Sequence, residues 1–348
     1  MRMMPAEWAP QSGVILTWPH RHGDWSDNLD NTEQTFLTLA RHISRHEIVL
    51  VNCLDEQHRD HVRQMLMNSG SVDMKQVILS IAPSNDSWAR DHAPLSVIEN
   101  GHPVLMDFTF NGWGNKYPSE LDNDIPNCLF RQGLFGGTPM VHSDMVLEGG
   151  SIDSDGQGTI LTTSRCLLSP TRNPAMSRED IEAALREQLG AGTIHWLEHG
   201  ALAGDDTDSH VDMLARFCNE TTIAYTQCRN AEDSHYDELA RMEQELQSLR
   251  NADGKPYRLI ALPLPDAIYN RDGQRLPASY ANFLIINHAV LVPVYDDPLD
   301  ELAMTRLQDG FPQREIIPVP CRSLIEQYGS LHCVSMQLAE GVLSQEPL

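Results

Sequence analysis

The hydrophobic pattern alternates between two periods along the chain. Apolar residues recur at helical spacing within residues 31–46, whereas residues 13–18 and 48–53 are short continuous apolar runs. The first pattern is typical of an amphipathic helix and the second of a buried strand. Asn100 and Gly101 separate two extended stretches within residues 86–110 and form a hairpin-type turn sequence. The pattern therefore predicts mixed helix and strand structure with a β-hairpin at this turn.

A strand-strand-helix-strand order then repeats along the chain. The predicted strands are 145–150, 158–163 and 193–197, then 210–218, 221–227 and 258–263, then 281–287, 289–294 and 315–319; the predicted helices between them are 177–189, 233–249 and 300–307. A period of roughly 50–70 residues indicates a cyclic repeat architecture. We expect the C-terminal strand at 334–338 to pair with the strand at 13–18, which would remove exposed sheet edges.

Two loop regions interrupt this regularity. Residues 111–137 are rich in Gly, Pro and Asn, and we expect them to form a long loop that lines a site. Near the C-terminus, Gly329 and Ser330 form a turn that delivers Cys333 to the start of the terminal strand. The elements together predict one α/β domain over residues 1–348, with polar side chains at the starts of the first strands converging on a central site.

Composition and charge limit the kinds of molecule that the protein is expected to bind. The 348 residues have 41% hydrophobic and 21% charged residues, and their formal net charge is -24. Such a charge disfavours nucleic acid or an anionic membrane as a partner and suits a small cationic substrate; solubility alone is the other interpretation. No apolar run approaches the approximately 18 residues of a membrane helix, and residues 1–7 lack the apolar core of a secretory signal. We therefore expect a cytoplasmic protein.

The seven cysteines give no sign of a disulfide framework or a zinc site. They are scattered, odd in number and without a C-x-x-C pair. Cys333 differs from the others because it follows a flexible turn, where a thiol can meet a ligand. Alone, such a cysteine is more often an inert core residue.

Other polar residues suggest a chemistry for this thiol. Asp91 and Asp212 could hold a planar guanidinium by bidentate hydrogen bonds, and a thiolate is the best side-chain nucleophile for its carbon. His210 could protonate the departing nitrogen and then activate water, and Glu148 could orient that imidazole. Each of these residues also has a purely structural interpretation: His210 and Asp212 as a hydrogen-bonded pair on a strand, and Glu148 as a turn residue.

The resemblance to a known family rests on several motifs in a fixed order. They are residues 4–8 (Met-Pro-Ala-Glu-Trp), 85–91 (Asn-Asp-Ser-Trp-Ala-Arg-Asp), 110–117 (Phe-Asn-Gly-Trp-Gly-Asn-Lys-Tyr), 147–151 (Leu-Glu-Gly-Gly-Ser), 206–212 (Asp-Thr-Asp-Ser-His-Val-Asp) and 329–333 (Gly-Ser-Leu-His-Cys). Over nearly its whole length the chain resembles the agmatine deiminase family of guanidino-group-modifying enzymes. Ser209 and Asn115 depart from residues that are common in that family.

The resemblance implies a fold, a reaction and a set of roles. The fold is a five-bladed α/β propeller of pseudo-fivefold symmetry, and the reaction converts agmatine and water to N-carbamoylputrescine and ammonia, in putrescine biosynthesis, with no metal or organic cofactor. The implied catalytic set is Cys333 as nucleophile, His210 as acid and base, Glu148 as its partner, and Asp91 and Asp212 as guanidinium clamps. We further expect Trp88, Trp113 and Asp208 to contact the substrate.

Other functions stay open at this point. One is deimination of a different guanidine such as peptidyl arginine, and another is non-catalytic binding of a guanidine or polyamine on the same fold. The intact set of Cys333, His210 and Glu148 favours catalysis, because binding a cation needs carboxylates but no thiol. A homodimer is also left open by the sequence.

Overall fold

The computed structural model describes residues 2–343. Its strands are β1 (Arg2–Met3), β2 (Gln11–Thr17), β3 (Ile48–Cys53), β4 (Val77–Ile81), β5 (Leu95–Glu99), β6 (His102–Thr109), β7 (Met140–Val146), β8 (Ile152–Ser154), β9 (Thr159–Thr163), β10 (Thr193–Leu197), β11 (Ala215–Asn219), β12 (Thr222–Gln227), β13 (Arg258–Pro263), β14 (Leu284–Ile286), β15 (Ala289–Val294), β16 (Glu315–Pro320) and β17 (Ser335–Ala339). Its helices are α1 (Leu29–Ile43), α2 (Glu56–Ser69), α3 (Ala89–His92), α4 (Gly112–Asn115), α5 (Glu120–Arg131), α6 (Ser164–Leu167), α7 (Arg178–Leu189), α8 (Tyr236–Ser248), α9 (Asp300–Gly310) and α10 (Arg322–Ile325). Among residues 2–343, no helix is both long and apolar enough to cross a bilayer.

The chain divides into two compact units. The first contains Ala9–Gly149 together with residues 333–343, and the second contains Arg2–Trp8 and Gly150–His332. Both are built from small mixed sheets. The α/β class predicted from the sequence is therefore confirmed.

Unit 1 contains the four-stranded sheet β17-β2-β3-β4 and the strands β5-β6-β7. The terminal strand β17 pairs with β2, as the sequence predicted, and the pair is antiparallel, whereas β2, β3 and β4 run parallel. All residues of β3 are buried, as expected for the central strand of a covered parallel sheet. The hairpin of β5 and β6 is also confirmed, and its turn residues Asn100 and Gly101 both have positive φ.

Unit 2 contains three sheets with one common plan. Their orders are β8-β9-β10, β11-β12-β13 and β14-β15-β16. In each, the first pair of strands is antiparallel and the second pair is parallel. The strand-strand-helix-strand repeat predicted from the hydrophobic pattern is thus present in the pairing.

Local sequence signals account for the main helices. In α1 the side chains of Phe36, Leu39, Ala40 and Ile43 are fully buried, as their helical spacing predicted. The helix α7 begins with a capping box in which Ser177 and Asp180 satisfy each other's backbone N–H groups.

The predicted long loop at 111–137 is wrong, because it contains α5. The helix buries Asp122, Ile125, Pro126 and Leu129, which follow helical spacing. Pro126 lies inside the helix, with Asn and Asp residues around it. Because these residue types disfavour helix interiors, the amphipathic pattern was not recognised in the sequence.

The predicted first strands of the repeating units are also misplaced. Residues 145–150 do not form one strand, because β7 pairs with β6 in the preceding sheet and the next sheet begins at β8. The expected strand at 210–218 begins only at β11, and Val211–Met213 form a 3-10 turn. The candidate site residues therefore lie in turns just before the first strands, and His210 and Asp212 do not alternate along a strand.

Candidate active site

Asp91 lies on α3, a single helical turn whose residues are all buried. The indole Nε1 of Trp113 donates a hydrogen bond of 2.9 Å to Oδ2 of Asp91. Trp113 is itself buried, with the rings of Phe110 and Tyr117 against it at centroid distances of 5.0 and 5.7 Å. The carboxylate of Asp91 is therefore held in one orientation by an indole that packing fixes in place.

The turn that carries Trp113 is left-handed throughout. The φ angles of Gly112, Trp113, Gly114 and Asn115 are 65°, 55°, 87° and 64°. Such a conformation is costly for Trp, and it persists because the surroundings determine it. The side chain of Asn111 accepts a hydrogen bond of 2.8 Å from the Gly114 N–H and closes the turn. The local strain thus serves to direct the Trp113 indole at Asp91.

Trp88 is buried against a second tryptophan. Its ring centroid lies 5.4 Å from that of Trp25, and the Trp25 Nε1 donates a hydrogen bond of 2.6 Å to Oδ1 of Asp86. The backbone N–H of Asn85 donates to Asp122 on α5 over 2.7 Å. The helix that the sequence analysis missed is therefore what anchors the segment leading to Asp91.

Arg90 joins three of the predicted residues through its backbone. Its N–H donates a hydrogen bond of 3.1 Å to the carbonyl of Cys333. Its own carbonyl lies so close to Gly149 that a Cβ there would be 2.3 Å away, which requires glycine next to Glu148. Unit 1 thus brings together the segments of Asp91, Glu148 and Cys333. Their side chains are buried, with Glu148 fully inaccessible.

Three thiols elsewhere in the chain, those of Cys53, Cys218 and Cys321, are poor nucleophiles. All seven cysteines are free, as predicted. Burial raises the pKa of Cys53 and of Cys218 to about 12, and it raises the pKa of Cys321 as well. A thiol with so high a pKa stays protonated near neutral pH.

In unit 2, His210 and Asp212 are buried in the turn before β11. The two residues before His210, Asp208 and Ser209, both have positive φ, at 67° and 68°. Ser209 thus keeps a left-handed conformation that glycine adopts more readily. Oδ2 of Asp205 accepts a hydrogen bond of 2.7 Å from the Ser209 N–H and holds the turn. Asp205 is therefore a structural residue of this turn.

Asp212 is held by a histidine that the sequence analysis gave no role. Oδ2 of Asp212 lies 2.8 Å from Nδ1 of His332. Burial by itself raises the pKa of Asp212, but the hydrogen bond and charge of His332, together with the charges of His210 and Arg216, outweigh it, and the pKa lies below its ordinary value. Asn282, also missed, accepts from the His332 N–H over 2.9 Å and donates to the Asp212 carbonyl over 3.4 Å. The signal available in the sequence for His332 was its place beside Cys333.

Asp208 is paired with an arginine. The guanidinium of Arg172 forms an ion pair with Oδ2 of Asp208 and donates to the Thr207 carbonyl over 2.8 Å. The side chain of Arg172 is inaccessible, whereas that of Asp208 is 29% exposed. A substrate amine at Asp208 would share its carboxylate with Arg172.

The residues supply the groups that guanidine chemistry needs. Unit 1 provides a thiol, the oriented carboxylate of Asp91 and the carboxylate of Glu148. Unit 2 provides the imidazole of His210 and the ionised carboxylate of Asp212. In general, carboxylates bind a guanidinium, a thiol is a nucleophile, and an imidazole transfers protons.

Comparison with known proteins gives the family. A family model described as Porphyromonas-type peptidyl-arginine deiminase matches residues 3–339. An agmatine deiminase of Stutzerimonas stutzeri is 34% identical, and the alignment covers 96% of this chain and 94% of the relative. A solved agmatine deiminase of C. jejuni with substrate bound is 37% identical with a TM-score of 0.90, covering 98% and 97% of the two chains. A crystal structure from Porphyromonas gingivalis, provisionally named an arginine deiminase, is 46% identical with a TM-score of 0.91, covering 99% and 100%. Since these matches span nearly the whole sequence, the chain belongs to the Porphyromonas-type peptidyl-arginine deiminase family, and the kinship with agmatine deiminases expected from its motifs is confirmed.

Proposed function

We propose that this protein is an agmatine deiminase, which hydrolyses agmatine to N-carbamoylputrescine and ammonia and thereby supplies putrescine biosynthesis. The observation that carries the proposal is the state of two buried carboxylates. Asp91 is fixed by the indole of Trp113, and Asp212 is kept ionised by His332. Buried and oriented carboxylates are suited to a planar cation, which they bind by charge-assisted hydrogen bonds.

In this proposal the reaction proceeds through a covalent adduct. The guanidinium of agmatine is bound by Asp91 and Asp212, and the thiolate of Cys333 attacks its central carbon. His210 gives a proton to the departing nitrogen, which leaves as ammonia and yields a thiouronium on Cys333. His210 then takes a proton from water, which attacks the same carbon. The adduct expels the thiolate, loses its hydroxyl proton to solvent and releases N-carbamoylputrescine. Glu148 orients the imidazole, as the acid of a triad does.

Trp88 covers the substrate in the same proposal, and Trp113 acts on it through Asp91. Asp208 faces the distal amine together with its partner Arg172. Because Arg172 is already engaged by Asp208 and by the Thr207 carbonyl, it is poorly placed to receive a substrate carboxylate. The net charge of -24 likewise favours a dication such as agmatine over a zwitterionic amino acid.

The fold and location belong to the same proposal. The repeated strand order, antiparallel and then parallel in each sheet, supports five blades of a pseudo-fivefold α/β propeller formed by residues 1–348 as one catalytic domain. We place the enzyme in the cytoplasm.

A second function is favoured by specific relatives. The matching family model is described by peptidyl-arginine deimination, and the Porphyromonas gingivalis relative carries an arginine deiminase name. Deimination of a peptidyl or free arginine would use the same thiol and imidazole, with a different contact at the far end of the substrate.

Ammonia release from agmatine, free arginine and a blocked arginine peptide separates these functions. We expect kcat/KM for agmatine to exceed that for arginine at least about a thousandfold, or some 4 kcal/mol, because a substrate carboxylate would be desolvated without a free cation. Faster turnover of the peptide would establish the second function. Release from none of the three would leave only non-catalytic guanidine or polyamine binding.

A further inference from the structure

Two motif residues have no role in the proposed reaction. They are Glu7, from the N-terminal motif at residues 4–8, and His332, which precedes Cys333 in the chain. Nε2 of His332 lies 2.8 Å from Oε1 of Glu7, and its Nδ1 lies 2.8 Å from Oδ2 of Asp212. The ring is 1% exposed. His332 is therefore enclosed between two carboxylates, one of which is a proposed guanidinium clamp.

This contact requires a charged imidazole. A neutral imidazole carries one N–H and could donate to only one of the two carboxylates, whereas the imidazolium donates to both. Away from water, a neutral imidazole would place a nitrogen lone pair against an anionic oxygen or need one carboxyl to carry a proton. The second arrangement is opposed by the Arg216 guanidinium beside Glu7 and by the lowered pKa of Asp212. The geometry thus indicates that His332 is protonated while Asp212 and Glu7 are ionised.

The chain of charges continues beyond Glu7. The guanidinium of Arg216 donates to Oε2 of Glu7, and its Nε lies 3.2 Å from Oδ1 of Asp153. Burial by itself lowers the pKa of Arg216, but the carboxylates of Glu7, Asp153 and Asp212 raise it, so this residue stays charged. The sequence Asp212, His332, Glu7, Arg216 therefore alternates in sign, and Asp153 adjoins its end with a pKa that burial raises against the opposing charge of Arg216. In such a buried array, removal of one member leaves its neighbours uncompensated.

The N-terminal segment is anchored so that Glu7 can take part. The Met4 N–H donates to the Leu189 carbonyl over 2.8 Å, and Ser154 donates to the Met4 carbonyl over 3.0 Å. On the other side of Glu7, Arg314 donates to the Trp8 carbonyl over 2.8 Å. The backbone of residues 4–8 is thus fixed at both ends, which places the carboxylate of Glu7 against His332.

We propose that Glu7 and His332 are positioning residues, which hold the Asp212 carboxylate ionised and correctly oriented for the guanidinium. Glu7 stabilises the protonated form of His332, and protonated His332 stabilises the ionised form of Asp212. This inference rests on the proposed function, because it assigns Asp212 to the substrate. It gives the N-terminal motif a positioning part in catalysis, which Glu7 exerts through His332.

The test compares pH profiles of kcat/KM for agmatine in Glu7→Gln, His332→Gln and Glu7→Asp. The charged groups facing this array are His210 and Arg216 near Asp212, and Asp153 near Arg216. Without its charged neighbour, Asp212 takes up a proton at higher pH. We therefore expect the acidic limb of the profile to move to higher pH in the first two variants, with a loss at neutral pH of roughly 10- to 100-fold. Glu7→Asp keeps the charge and should keep the position of that limb.

Asp233→Asn is the matched control. Oδ1 of Asp233 likewise bridges a histidine and an arginine, at 2.8 Å from His235 Nδ1 and 2.8 Å from Arg275. Its loss is expected to lower stability without moving the pH profile. The inference is overturned if Glu7→Gln and His332→Gln also show the wild-type pH profile, or if their kcat/KM is lower by the same factor at every pH. Should either variant not fold, the other decides by the same two outcomes.

A spectroscopic readout is independent of activity. With ¹⁵N-labelled histidine, the wild-type protein should show one imidazole at neutral pH with both ring N–H protons protected from exchange, and this signal should vanish in His332→Gln. Its absence from the wild type overturns the inference whatever the enzyme's substrate. Wild-type protein that shows the signal but releases no ammonia from agmatine would instead contradict the proposed function.

Discussion

The indole Nε1 of Trp113 donates a 2.9 Å hydrogen bond to Oδ2 of Asp91, from a backbone turn in which Trp113 itself has a φ of 55°. Since a bulky residue rarely adopts this conformation, the contact indicates that the turn is maintained in order to orient the carboxylate. In the proposed reaction, Trp113 acts on the guanidinium through Asp91.

Trp113→Phe should weaken catalysis while keeping an aromatic ring in the same place. The substitution keeps an aromatic ring against Phe110 and Tyr117 but removes the N–H donor. We expect kcat/KM for agmatine to fall about five- to tenfold, which corresponds to the roughly 1 kcal/mol of one hydrogen bond. Trp196→Phe removes a similar bond, of 3.0 Å, to Glu182 and should leave kcat/KM unchanged. Equal effects of the two substitutions would show that the Asp91 contact has no special part in the reaction.

Cys333→Ser should abolish turnover by the covalent route. A hydroxyl is a far weaker nucleophile than a thiolate toward the guanidinium carbon, so we expect a loss of at least about a thousandfold in kcat, or some 4 kcal/mol. Ammonia release measures the effect, and Cys128→Ser, at a half-buried cysteine of the same unit, serves as the control. Near-wild-type turnover of Cys333→Ser would rule out the thiouronium intermediate.

Asp122 should make the stability of the protein depend on pH. Burial and the neighbouring Asp86 raise the pKa of Asp122 to about 8, and burial raises that of Asp86 to about 6. An unfolded aspartate has a pKa of about 3.9, so between these values the folded state binds more protons than the unfolded state. Stability therefore falls as the pH rises from about 4 to 8 and levels off above that range.

Asp122→Asn tests this effect through the melting temperature. The amide oxygen can still accept the 2.7 Å bond from the Asn85 N–H, but the titration is lost. We expect Tm to decline less between pH 5 and pH 8 than in the wild type. Asp124→Asn changes a half-exposed carboxylate of the same helix and should keep the wild-type pH dependence. Identical slopes for wild type and Asp122→Asn would contradict the assignment.

Gly149→Ala should damage both folding and activity. The added Cβ would lie 2.3 Å from the Arg90 carbonyl and 2.8 Å from the Met336 side chain, so the backbone next to Asp91 or Glu148 must shift. We expect a loss of about 1–3 kcal/mol in the free energy of unfolding, measured by denaturant titration, together with a lower kcat. Gly137→Ala meets nothing within 4 Å and should change neither quantity. Wild-type activity of Gly149→Ala would show that this close approach does not position the site.

The sequence alone determined the elements whose signals are local. The spacing of Phe36, Leu39 and Ile43 specified α1, and Ser177 with Asp180 specified the start of α7, because side chains three and four residues apart share one helix face or one cap. The motif residues also identified the candidate chemistry, since few reactions use a thiol, an imidazole and several carboxylates together.

Local signals failed where tertiary packing decided the conformation. The helix α5 was hidden by Pro126, and the turns that hold Asp91 and His210 were predicted as parts of strands, whereas the turn before the terminal strand, which carries Cys333, was predicted correctly. Several residues of these turns have left-handed or 3-10 backbone conformations that the surrounding structure imposes. Local conformational propensities therefore do not predict them.

The chain's own order could name Cys333, His210 and Asp212, but only the folded structure could reveal which residues hold them. Glu7 meets His332 across 325 positions of sequence, and Trp113 reaches Asp91 across 22. Such contacts arise when sheet pairing and buried charge bring distant segments together. A single sequence, considered by itself, does not indicate which distant segments pair. The residue types therefore indicated the chemistry, whereas the tertiary structure determined the positions of the side chains that carry it out.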